Sequence, residues 1–141
     1  MKVKAFLEEF AGWVRTQPEI EAAALVGSYA RDAANEQSDV DLIILTNQPA
    51  RYLGDPSWSS VFGEVADYEV ESWGNVTSLR ISYTDELEVE YSLALPDWAD
   101  IPVDPGTHHV VSNGMKILLD PRGILTRLQQ EVFAALRPGE G

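Results

Sequence analysis

Cysteine is absent from this chain of 141 residues. Its absence excludes a disulfide framework, a zinc site built from thiolates and a cysteine nucleophile. Long apolar runs are also missing, so no membrane span and no membrane partner are expected. Lys2 and Lys4 are followed by Glu8 and Glu9, which disfavours a secretory signal. We therefore expect a cytoplasmic protein that folds as one domain, 1–141.

Basic residues are scarce. Ten Lys and Arg stand against 23 Asp and Glu, which gives a net charge of −13 and a pI of about 4.3. Long nucleic acids are held mainly by Lys and Arg on their phosphates, so we expect no long DNA or RNA partner. A basic protein or a cationic small molecule is compatible with such a negative surface.

The most informative stretch contains two aspartates at the start of an apolar run, Asp39 and Asp41 before residues 42–45. Side chains alternate between the faces of a strand, so both carboxylates point to the same side. Such a pair suits Mg²⁺ (or Mn²⁺), which is typically bound by one or two carboxylates together with substrate phosphates.

A phosphate site is predicted just upstream, where the apolar run 22–26 meets Gly27 and Ser28. Gly27 lets the backbone approach a ligand closely, and Ser28 is a good N-cap for a short helix over 29–34. A helix start favours phosphate, and Arg31 could reach the same anion. The alternative interpretation is a tight turn followed by a strand with two solvated aspartates.

The combination of Val26, Gly27-Ser28 and Asp39-Val40-Asp41 resembles the signature of the nucleotidyltransferase superfamily, the fold of the DNA polymerase β palm. The resemblance is best over 20–95. It implies an α/β (α+β) fold with a mixed central sheet flanked by helices. It also implies a third carboxylate on a hairpin and Mg²⁺-dependent transfer of a nucleoside monophosphate from a nucleoside triphosphate to a hydroxyl.

The resemblance assigns three carboxylates, Asp39, Asp41 and Glu90, to catalysis and metal binding. It assigns Gly27, Ser28 and Arg31 to the nucleotide, for which we expect ATP. Glu88 and Glu90 share the polar face of the alternating strand 87–95, so alternation cannot choose between them. Glu90 is preferred because it lies deeper in the strand, away from the turn at 84–86.

Patterns elsewhere predict the remaining elements. They are a helix over 3–16, a buried strand over 22–26, a central strand over 39–45, a loop over 46–56, a short helix over 57–62 capped by Ser57, an edge strand over 64–73, a hairpin of 76–83 with 87–95, a loop over 96–107 pinned by Trp98, a second hairpin over 110–119 and a helix over 124–136. The core is thus placed at about 20–95, with a C-terminal hairpin and helix at about 108–137.

Two interpretations of function remain. Small nucleotidyltransferases resemble this chain in lacking an accessory domain, and some adenylylate a helical toxin protein encoded beside them. The acceptor would be a hydroxyl of a protein or of a small molecule. The alternative is a non-catalytic, antitoxin-like module of the same fold that binds a helical partner protein. Aminoglycoside adenylyltransferases normally add a helical domain, for which the residues after the core are too few.

Overall fold

The computed structural model describes residues 2–35 and 38–136. It contains four α-helices and six strands in the described ranges, together with 3-10 turns at Pro56–Phe62 and Pro96–Ala99. The elements are α1 (Lys2–Val14), β1 (Ile20–Val26), β2 (Val40–Thr46), α2 (Pro49–Gly54), β3 (Val65–Trp73), β4 (Val76–Tyr83), β5 (Glu88–Ala94), α3 (Pro105–Ser112), β6 (Met115–Leu119) and α4 (Ile124–Leu136).

The six strands form a single mixed sheet in the order β3-β4-β5-β2-β1-β6. β2 and β5 are parallel, whereas all the other neighbouring pairs are antiparallel. The predicted mixed sheet, the central position of β2 and the edge position of β3 are therefore confirmed. Parallel pairing requires a long connection, and the hairpin of β3 and β4 supplies much of it.

Each face of the sheet is covered by a separate apolar cluster. Phe10 of α1 packs with Leu42 and Ile44 of β2 on one face. Ile43 of β2 packs with Leu128 of α4 on the other. Since side chains alternate along β2, Asp39 and Asp41 lie on the face covered by α3 and α4, at the end where the apolar run begins.

Several predicted elements are confirmed within one or two residues: α1, β1, β2, β3, the β4–β5 hairpin and α4. Trp98 is buried, as expected for a residue that pins its loop to the body. None of the helices in the described ranges combines the length and apolar character needed to cross a lipid bilayer.

The predicted hairpin over 110–119 is wrong. Its first half belongs to the helix α3, and β6 pairs with β1 instead. Asp104 caps the helix, because its Oδ2 accepts hydrogen bonds from the backbone N–H groups of Gly106 and Thr107 at 3.0 and 3.3 Å. Pro105 suits the first helical position. These start signals outweigh the strand preference of the valines at 110 and 111.

Two smaller predictions are also corrected. The expected loop over 46–56 contains α2, which begins at Pro49, a residue whose fixed φ suits a helix start. The short helix after it is a 3-10 turn capped by Asp55, not Ser57, because the Asp55 side chain accepts a hydrogen bond from the Ser57 N–H at 3.1 Å.

Candidate functional site

Gly27 ends β1 in direct contact with the acidic strand β2. Its φ is +76°, and a Cβ built on it would lie 2.4 Å from Oδ2 of Asp41. Both the left-handed backbone and the close approach require glycine at this position. The position that the sequence predicts for backbone approach to a ligand therefore touches one of the two predicted metal-binding aspartates.

The predicted helix over 29–34 is wrong, because the chain forms a turn there. The N–H groups of Ala30 and Arg31 both donate to the carbonyl of Gly27, at 3.1 and 3.3 Å. Asp32 then adopts a φ of +56°, which ends any helical continuation. Because no helix forms there, Ser28 is not an N-cap. The argument that a helix dipole binds phosphate at this place no longer applies.

Asp41 and Glu90 stand side by side, because the parallel pairing of β2 with β5 places them in register. The pKa of Asp41 is raised from 3.8 to about 7, first by burial and then by the charge of Glu90 and a hydrogen bond with its carboxyl group. The nearby charge of Asp39 adds to the rise. Two carboxyl groups that share a proton in this way repel each other once both ionise.

Asp39 makes a different set of contacts. Its Oδ2 accepts a hydrogen bond from Nη2 of Arg80 at 2.7 Å. A hydrogen bond with Asp39 also raises the pKa of Glu88, with a smaller contribution from burial. The two glutamates that alternation could not separate thus have different neighbours, with Glu90 beside Asp41 and the exposed Glu88 beside Asp39.

The chemistry of the acidic residues fits a hard divalent cation. Asp41 and Glu90 offer adjacent carboxylate oxygens, the ligands that Mg²⁺ prefers, and a cation would relieve the repulsion that a proton relieves here. In the described ranges, however, no three His, Cys, Asp or Glu side chains converge as a metal-binding group. Asp39 is paired with Arg80 instead.

A cavity of about 430 Å³, which we call the Gly27 cavity, opens over the carboxylate pair. Gly27, Arg31, Asp41 and Glu90 line it, together with His109 of α3. Ser28 is not among its lining residues in the described part of the chain. The structure therefore brings four of the six predicted site residues to one cavity, whereas its described lining includes neither Ser28 nor Asp39, and it adds α3 as an unexpected wall.

Sequence reasoning missed two contributors to this site. Arg80 occupies the polar face of β4 opposite Glu90, and His109 reaches the cavity from α3. Alternation along 76–83 could have placed Arg80 on the polar face, but its contact with Asp39 depends on strand order. His109 lies just before the segment that was predicted as a hairpin, so its position on a helix over the sheet was not anticipated.

Comparisons with known proteins identify a family for this chain and solved structures with a similar fold. A family model described as nucleotidyltransferase domain matches residues 6–95. Among solved structures, the chain is similar to an aminoglycoside 6-adenyltransferase from Bacillus subtilis, with a TM-score of 0.52 and 16% identity over 67% of this chain and 35% of that one. It is also similar to the Cid1 poly(U) polymerase, with a TM-score of 0.50 and 13% identity over 79% of this chain and 33% of that one.

At these identities the structural likeness supports the fold alone. The chain spans about a third of the length of both solved proteins. A comparison with curated proteins gives no sequence match.

Proposed function

The chain belongs to the nucleotidyltransferase family, and we propose that it transfers AMP from ATP to a hydroxyl group in a reaction that depends on Mg²⁺. The acceptor oxygen forms a bond to the α-phosphorus, and the bond from that phosphorus to the bridging oxygen breaks. Pyrophosphate leaves with the electron pair. The proton of the acceptor hydroxyl passes to the carboxylate of Glu90.

One observation carries this proposal: the paired carboxyl groups of Asp41 and Glu90 at the base of the Gly27 cavity, with Arg31 in the same lining. Carboxylates alone would repel a triphosphate. Together with a divalent cation and a guanidinium they form a site of mixed charge, which suits a phosphate chain. Gly27 lines the same cavity and has no side chain of its own to occupy it.

Each residue has a defined task. Asp41 and Glu90 would hold the cation, and Asp39 would become a third ligand if its ion pair with Arg80 opened. When bound, Mg²⁺ would neutralise phosphate charge and align the attacking and leaving oxygens. Arg31 holds the outer phosphates in place of the helix start that the sequence predicted. Arg80 would remain opposite Glu90, its register partner on the neighbouring strand.

The first test is nucleotide binding. We expect calorimetric titration with ATP to give measurable affinity only in the presence of Mg²⁺ or Mn²⁺, since the carboxylates repel phosphate without a cation. A parallel titration with GTP reports the preference for the base. Equal affinity for ATP in EDTA would contradict the metal-dependent site.

The second test separates the two glutamates. With ATP labelled at the α-phosphate, Mg²⁺ and cell lysate as the source of acceptor, Glu90→Gln should abolish transfer of the label. Glu88→Gln is the matched control on the same strand face and should retain most of the transfer. If Glu88→Gln abolishes transfer and Glu90→Gln does not, the roles of the two residues are reversed. If both variants keep full transfer, no third carboxylate takes part.

A further inference from the structure

A second cavity, of about 370 Å³, continues from the first along the same face of the sheet. We call it the Thr107 cavity. Both cavities are lined by Glu90, Ser92 and Trp98. The Gly27 cavity extends from these residues towards Arg31, and the Thr107 cavity extends towards the first turn of α3. Glu90 therefore stands at the junction of two compartments.

Thr107 is the most unusual residue of the second compartment. Its side chain lines the cavity and is only 2% exposed. Within the described ranges, its Oγ1 is a buried polar atom with no hydrogen-bond partner. Most buried polar groups in proteins are paired, and an unpaired one costs roughly 1–3 kcal/mol. An unpaired hydroxyl group can rotate about χ1 towards a ligand without breaking an existing hydrogen bond.

The two compartments differ in charge. Arg31 lines the Gly27 cavity together with His109 and with the carboxylates of Asp41 and Glu90, which the proposed function assigns to a cation. The charged residues that line the Thr107 cavity in the described part of the chain are both acidic, Glu90 and Asp104. Asp104 uses Oδ2 to cap α3, and Oδ1 takes no part in those two bonds. An anionic nucleotide suits the first compartment, whereas the second favours a cation.

We infer that the Thr107 cavity is the acceptor subsite and that it takes a small hydroxylated molecule carrying an ammonium group, such as an amino sugar. This inference rests on the proposed function. The ammonium group pairs with Asp104, and a polar group of the acceptor bonds to Thr107 Oγ1. The reacting hydroxyl then faces Glu90, which takes its proton as the oxygen bonds to the α-phosphorus and pyrophosphate leaves.

Three sugars of similar size and different charge test the inference: glucosamine, glucose and glucuronate. Each is titrated into the ¹⁵N-labelled protein and followed by backbone NMR. We expect glucosamine to shift the amides of residues 104–107, glucose to bind more weakly and glucuronate not to bind. If glucosamine causes no shift at tens of millimolar, or if glucuronate binds as tightly, the inference is wrong.

Variants identify the contacts. Thr107→Val has nearly the same shape and should lower the affinity for glucosamine about fivefold, the effect of one hydrogen bond. It should also raise the melting temperature, because the lost hydroxyl has no partner. A purely structural Thr107 would give the second effect without the first. Ser112→Ala removes a hydroxyl at the other end of α3 and should leave the affinity unchanged.

Asp104→Asn removes the charge and keeps the helix cap, since Asn and Asp cap about equally well. Glucosamine and glucose should then bind with similar affinity. A preference for glucosamine that survives in this variant would contradict the role of Asp104.

A titration with ATP and Mg²⁺ on the same samples separates the two proposals. ATP shifts at residues 27–31 without any glucosamine shifts would overturn the acceptor subsite and leave the proposed function standing. Glucosamine shifts without Mg²⁺-dependent ATP binding would overturn the proposed function, and with it the identification of this cavity as an acceptor subsite.

Discussion

Replacing Asp41 by Asn should stabilise the free protein at pH 8, although it removes a proposed metal ligand. Asp41 is partly buried beside Glu90, and at high pH the two carboxylates repel each other. Asparagine has nearly the same shape, carries no charge and can donate a hydrogen bond to Glu90. The gain in stability therefore comes first from avoiding a buried charge and then from removing the repulsion that a bound cation would relieve.

The pKa of Asp41 sets the sign and size of the effect. It is raised from 3.8 to about 7 in the folded protein, so the folded state holds the proton more tightly than the unfolded state. The resulting stability is fully present below the unfolded pKa and is lost as the pH rises through the folded pKa. A rise of this size corresponds to about 4 kcal/mol. Because the carboxyl group is only partly buried, we discount this to about 2 kcal/mol.

Urea denaturation in EDTA, followed by tryptophan fluorescence at pH 5 and pH 8, measures the effect. At pH 8 the variant should be more stable than the unmodified protein by about 2 kcal/mol, with a melting temperature about 4–8 °C higher. At pH 5 the gain should be less than half as large. Asp67→Asn, which changes an exposed carboxylate of β3, is the control and should change stability little at either pH. Equal gains at both pH values, or no gain at pH 8, would refute the reasoning.

Two further substitutions probe the walls of the Gly27 cavity. Arg31→Ala should weaken Mg²⁺-dependent ATP binding about tenfold, as expected for a lost charge-assisted hydrogen bond. Its free energy of unfolding should change by less than about 0.5 kcal/mol, because Arg31 is exposed; unchanged ATP affinity by calorimetry would argue against a phosphate contact. Gly27→Ala should lower stability by about 2 kcal/mol more than Gly74→Ala in urea denaturation. Both glycines have positive φ, but only a Cβ at Gly27 meets another atom within 4 Å, on Asp41, so equal costs would contradict the contact.

The sequence by itself determined the features that depend on local periodicity. Alternation along 39–45 placed Asp39 and Asp41 on one face and made β2 a buried strand. The apolar run before Gly27 predicted β1, and the glycine at its end predicted an unusual backbone conformation there, which its positive φ confirms. The alternation of side chains along a strand and the conformational freedom of a glycine depend only on residues close together in the chain. Both can therefore be recognised in the sequence before the fold is known.

Local patterns failed where capping competed with strand preference. The valines at 110 and 111 were predicted to start a hairpin, yet Asp104 and Pro105 start a helix that carries His109 and Thr107 to the two cavities. Ser28 was expected to cap a helix, but the turn closes on the Gly27 carbonyl instead. The outcome at both places depends on what the segment packs against as well as on its own residues.

Tertiary structure alone decided which acids meet. Alternation put Glu88 and Glu90 on the same face, and only the parallel register of β5 with β2 set Glu90 beside Asp41. The same sheet order brings Arg80 to Asp39, and the packing of α3 over the sheet forms the Thr107 cavity. These contacts join residues far apart in the chain, so strand register and helix packing fix them, and no local pattern encodes either one.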